Sequence, residues 1–197
     1  MRLGFVIFAL AACVALYQLW SERAVAHPPG IIAADDPMQQ DLRTPIVFER
    51  KGRRFEARAE FTATARVILK ERYRFDAMAG YSPVDLALGW GPLSDSAVLE
   101  QFSFSQSDRF YFWRTAALPL PRETIVAHSA NMHMIPSHPA IEHTLLRLRP
   151  GQVISFSGSL ADVRDPDGRV ANTSLTRSDA GAGSCEIVWV EALDLVP

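Results

Sequence analysis

Apolar side chains at Phe55, Ala57, Ala59, Phe61, Ala63, Ala65, Val67 and Leu69 alternate with Glu56, Arg58, Glu60, Thr62, Thr64, Arg66, Ile68 and Lys70. Successive strand residues face opposite ways, so a period of two gives one apolar and one mainly polar face. Alanine favours helix by propensity, but at about 100° per residue the odd positions would scatter around a helix. The alternation predicts a strand. It is long enough to bend, and its alanines let another layer approach closely.

Shorter signals surround it. Ile46 to Arg50 reads as a first strand closed by a Lys51-Gly52 turn. Ser82-Pro83-Val84-Asp85 offers a serine N-cap, a proline at N1 and an early aspartate, predicting a short helix that Gly89-Trp90-Gly91-Pro92 stops. Ser94 to Leu99 predicts a second short helix, and Ala140 to Leu148 a third beyond Pro136 and Pro139. Arg109 to Arg114 predicts an aromatic strand, whereas Thr124 to Ala130 fits either helix or strand. Val153 to Val163, the turn Asp165-Pro166-Asp167-Gly168, Val170 to Thr176, and Cys185 to Val190 after a glycine turn supply the last strands. Regular βαβ alternation is missing. The pattern predicts a mainly β fold with short helical insertions.

The C-terminal half resembles an oligonucleotide/oligosaccharide-binding (OB-like) small β-barrel in topology and texture. Such a barrel would remove exposed sheet edges; a β-sandwich is the alternative. Tyr81 to Leu93, Asn131 to Pro136, Ser174 to Arg177 and Gly183 to Glu186 resemble segments of small, uncharacterised, membrane-anchored proteobacterial proteins. That resemblance implies a location and carries no activity.

Arg2 precedes an apolar run from Leu3 to Trp20, eighteen residues that as a helix reach about 27 Å, near the thickness of a bilayer core. Tyr17 and Trp20 suit the headgroup region. The run predicts a single-pass anchor in the bacterial inner membrane, N-terminus inside, with the domain in the periplasm. The alternative is a signal peptide cleaved after Ala24-Val25-Ala26, giving a periplasmic product. Residues 1–20 are thus the anchor or signal segment, 21–43 a tether rich in helix breakers, 44–193 one β-rich domain, and 194–197 a tail. Partners predicted on this basis are the membrane, through residues 3–20, and an envelope protein or polymer.

Composition narrows the chemistry. The 197 residues carry 20 Lys+Arg against 22 Asp+Glu, a formal charge of −2, with 48% hydrophobic residues. That is too apolar for a disordered chain and too weakly charged for a dedicated nucleic-acid binder. Two cysteines, Cys13 and Cys185, exclude a disulfide-rich scaffold.

Candidate sites are few. His128, His133, His138 and His143 suggest zinc ligation, but match neither the HExxH helix nor a zinc finger. Cys185 with His133 forms a candidate nucleophile–base pair, with Asn131 or Asp179 as orienting group. Arg53 and Arg54, in a cluster with Arg50 and Lys51, are candidate anion contacts. Trp90 and Trp113 are candidate ligand-stacking residues. No phosphate loop or serine hydrolase motif stands in the chain. The expected function is a non-catalytic envelope binding or assembly module without cofactor. The alternative is a metal-dependent hydrolase using the histidine-rich segment and zinc.

Overall fold

The computed structural model describes residues 23–176 and 184–197. The strands are β1 (Met38–Arg50), β2 (Arg53–Arg72), β3 (Val84–Gly89), β4 (Ser103–Ser107), β5 (Phe110–Arg114), β6 (Ser129–Pro136), β7 (Val153–Arg164), β8 (Val170–Ala171) and β9 (Glu186–Val196). Short helices α1 (Ser96–Leu99), α2 (Arg122–Ala127) and α3 (Pro139–Arg147) are inserted between them.

Residues 53–72 form the predicted long strand. Phe55, Ala57, Ala59, Phe61, Ala63, Ala65 and Val67 are all buried. Register shifts against β7 at Ala57/Ala59 and against β3 at Val67/Leu69 let the strand bend. Its length gives it three partners. β1 pairs with its first half, β3 with its last residues, and β7 along residues 54–66 of the opposite edge.

The main sheet runs β1-β2-β3-β6-β9-β7-β8, and the β2–β7 pairing folds it back on itself. β6 and β9 are parallel, and every other pair is antiparallel. The expected OB-like barrel, with no exposed edges, is corrected here. β1 and β8 each end the sheet with a free edge, and its faces are apposed in a sandwich-like way. Mainly β architecture with short helices stands.

Between the apposed faces, Phe61 of β2 packs near Phe156 of β7, with Leu86, Leu88, Met132, Met134, Val188 and Val190 around them. Trp90, Ile141 and Leu145 complete this core. A smaller cluster of Phe55, Tyr81, Ile135, Val163 and Ile187 lies on the other side of the sheet.

The helix expected to start at Ser82 is instead the approach to a strand. All six residues of β3 are buried, because β2 and β6 flank both its edges and both its faces are covered. A strand in that position reads as a continuous apolar run, which hides its period. Residues 129–136 form β6, buried along nearly its whole length for the same reason. The strand expected from Val170 to Thr176 shrinks to Val170–Ala171.

Residues 23–37 lie along the domain. The Val25 N–H donates to the Pro150 carbonyl at 2.8 Å, and a His27 ring nitrogen meets the Gly151 carbonyl at 2.8 Å. Ser94 Oγ accepts from the N–H groups of Ile32 and Ala33. Gly151 is required at its position: φ is +87°, and a Cβ there would stand 2.0 Å from the Val25 carbonyl oxygen.

Among the described residues, no helix is long and apolar enough to cross a membrane. The run at residues 3–20, on which the anchor was predicted, lies outside them. The expectations of a single-pass inner-membrane topology and of the membrane as partner are corrected to a mainly β domain whose described part holds no spanning helix.

Candidate functional site

Strand alternation sorts the side chains of β3 and β6. Val84, Leu86, Leu88, Met132 and Met134 point into the main core, so Asp85, Asn131 and His133 belong to the opposite face. Asp85 and His133 are direct cross-strand partners. Directly opposed residues bring their Cβ atoms to about 5 Å, and here Asp85 Oδ2 stands 2.9 Å from His133 Nδ1. Asp85 is completely buried and His133 is 7% exposed. The contact is close without hydrogen-bond alignment, so opposite charge carries it.

The β4–β5 hairpin covers this face. Its two-residue turn places Asp108 and Arg109 at φ +52° and +70°, the geometry of a mirror-image hairpin turn. An arginine in that region costs roughly 1–2 kcal/mol, and its contacts supply the compensation. The guanidinium holds Asp76 through two bonds of 2.9 and 2.7 Å and Asp85 Oδ1 through Nη1 at 2.7 Å. It lies 3.7 Å from the centre of the Tyr73 ring. Burial disfavours its charge, but the two carboxylates more than offset that and raise its pKa. Asp85 is therefore fixed at one oxygen by Arg109 while the other faces His133.

Cys185 stands immediately before β9. In the parallel β6–β9 ladder Met132 is opposite Glu186, which leaves Cys185 beside Asn131. The Asn131 amide nitrogen is 4.0 Å from the sulfur and donates to the Arg109 carbonyl at 2.9 Å. Gln106 donates to the Asn131 amide oxygen at 2.7 Å, which fixes the amide's orientation. The thiol points at the Arg109 carbonyl at 3.8 Å. Burial alone would lower the His133 pKa. Its contacts with Asp85 and Cys185 override that and push it up to about 9. The imidazole is consequently protonated at neutral pH.

In front of the thiol is a cavity of about 290 Å³, walled by Phe110, Tyr111, Phe112, Trp113 and Val126, with Arg122 and Glu186 as its charged groups. Tyr111 and Ser129 hydrogen-bond across the wall. Trp113 is held edge-on to Phe102, and the Arg122 guanidinium lies 5.3 Å from its ring centre.

Several candidate residues meet here and others do not. Cys185, His133 and Asn131 converge, and Trp113 lines the same cavity. Trp90 borders the cavity but is 0% exposed and packs in the main core. Arg53 pairs with Asp165 at 2.6 Å and Arg54 with Glu56 at 3.0 Å, both away from the cavity lining. Of the histidines, His128 bonds the Thr124 carbonyl at the end of α2, His138 caps α3, and His143 is exposed on α3. Among the described residues, no three His, Cys, Asp or Glu side chains are grouped to hold a metal ion. Asp179 lies outside the described residues.

Sequence reasoning missed Asp85 and Arg109. A carboxylate inside Val84-Asp85-Leu86-Ala87-Leu88 was the available signal, since an ionisable group in a buried strand needs a partner.

No protein family, curated protein or solved structure matches the chain. The resemblance to membrane-anchored proteobacterial proteins is corrected accordingly: nothing in these comparisons supports it.

Proposed function

We propose that the domain is a thiol-dependent hydrolase, with Cys185 as nucleophile, His133 as its proton carrier and Asp85 as the group that orients and charges the imidazole. One observation carries the reading. A cysteine on the wall of a cavity contacts an imidazole that a buried carboxylate holds at 2.9 Å. Nucleophile, base and orienting group in that sequence form the arrangement expected of covalent catalysis.

In the reaction, the Cys185 thiolate adds to an ester or thioester carbonyl carbon. The carbonyl oxygen takes up the displaced electron pair, and the Asn131 N–H nearest the sulfur is the donor placed to meet it. Collapse expels the alcohol or thiol, which takes the proton of the His133 imidazolium. Neutral His133 then takes a proton from water as that water attacks the acyl-thioester. The acid leaves, and the thiolate–imidazolium pair returns.

The test is hydrolysis of 4-nitrophenyl esters by the full chain, with mass analysis of the Cys185 peptide. An acyl adduct on Cys185, and loss of turnover in Cys185→Ala and His133→Asn, support the reading. Turnover that survives Cys185→Ala contradicts it. A second reading is the non-catalytic binding module, which the aromatic walls at Phe112 and Trp113 favour. Ligand retention without turnover, unaffected by Cys185→Ala, would establish that one instead.

A further inference from the structure

The two charged groups of the cavity differ in what they have left to offer. Glu186 is 4% exposed and set into the cavity base at the start of β9. Arg122 is exposed at the start of α2, and among the described residues its guanidinium has no carboxylate within ion-pair distance. The other arginine of the region, Arg109, is fully engaged by Asp76 and Asp85. The Arg122 guanidinium lies over the Trp113 ring, and among the described residues no hydrogen bond or ion pair takes up its N–H groups. A planar fork held in that way suits a carboxylate, which it can meet through two parallel hydrogen bonds.

The rest of the wall is apolar. Phe110, Phe112 and Val126 offer carbon surface, and Trp113 offers a ring face. A volume of about 290 Å³ is at the small end for ligand sites and too small for a folded partner.

From these features we infer that Arg122 selects substrates with a free carboxylate: small monoesters or monothioesters of dicarboxylic acids, whose apolar spacer lies on Trp113 while the esterified end reaches Cys185. This rests on the thiol-hydrolase reading for the reaction, but the anion contact can be tested apart from it.

The experiment compares three series of 4-nitrophenyl esters on the full chain. Acyl chains of graded length end in a carboxylate, in its neutral methyl ester, or in an ammonium group. At one or more lengths the carboxylate series is expected to show kcat/KM at least about tenfold above the neutral one, and Arg122→Gln to erase that preference. Equal rates for carboxylate and neutral esters overturn the inference and leave the hydrolase intact. So does a carboxylate preference that survives Arg122→Gln, or a preference for ammonium, which would assign selection to Glu186. Should no ester be turned over, the hydrolase reading fails, and calorimetry with the free dicarboxylates decides the anion site. Binding weakened at least about tenfold by Arg122→Gln then supports it; no binding, or equal binding, overturns it.

Discussion

Asp85 on β3 and His133 on β6 are direct cross-strand partners with Oδ2 and Nδ1 2.9 Å apart, and both are buried. An ion pair so placed has a large desolvation cost, and removing one member leaves the other charge stranded. Asp85→Asn is therefore expected to destabilise the domain by about 3–5 kcal/mol in denaturant unfolding. It should also return the His133 titration, followed by NMR of the ring protons, to the ordinary value near 6.5 or below. An unchanged titration would remove Asp85 as the cause of the raised pKa.

Stability should depend on alkaline pH with a defined sign. The folded-state pKa of His133 is raised to about 9, against about 6.5 for an unperturbed imidazole. Below about pH 6.5 both states are protonated and the contribution is complete; as pH rises through about 9 it is lost. The span corresponds to up to about 3 kcal/mol. Chemical denaturation at pH 6 and pH 9.5 should show this decline, and His133→Asn should flatten it.

Trp90 and Trp113 are expected to behave differently. Trp90 is wholly buried in the main core, so Trp90→Ala should cost about 3–5 kcal/mol. Trp113 is half-buried on the hairpin, and Trp113→Ala should cost roughly 1 kcal/mol while weakening ligand binding in the cavity. Equal stability losses would contradict the assignment of one to packing and the other to the site.

Much of the β framework was legible. The odd-position apolar face of β2 and the turns at Lys51-Gly52 and Asp165–Gly168 are local signals, and the folded chain uses them. β3 and β6 were hidden because burial on both faces removes the alternation that marks a strand, so a proline-containing approach at Ser82-Pro83 read as a helix start. The site was half legible for a related reason. Cys185, His133 and Asn131 are recognisable residue types, but they meet only through the β6–β9 parallel register, which couples segments about 50 residues apart. Arg109 reaches Asp85 across 24 positions by way of a hairpin turn that no local rule assigns to arginine.

Docking of residues 23–27 gives a prediction away from the cavity. Gly151→Ala would place a Cβ against the Val25 carbonyl at a φ of +87°. The Val25 amide, bonded to Pro150, should then lose hydrogen-exchange protection while the β2–β7 amides keep theirs. Retained protection at Val25 would show that this segment is not held by Gly151.

The most direct test of the Cys185–His133 pairing is the rate of iodoacetamide alkylation at Cys185, read by peptide mass across pH 6–10 in the native chain and in His133→Asn. The pairing predicts alkylation at pH 7 at least about tenfold slower in His133→Asn, and a native rate that changes as pH passes through about 9, where the imidazolium loses its proton. Identical rates in the two proteins across the whole range would contradict it.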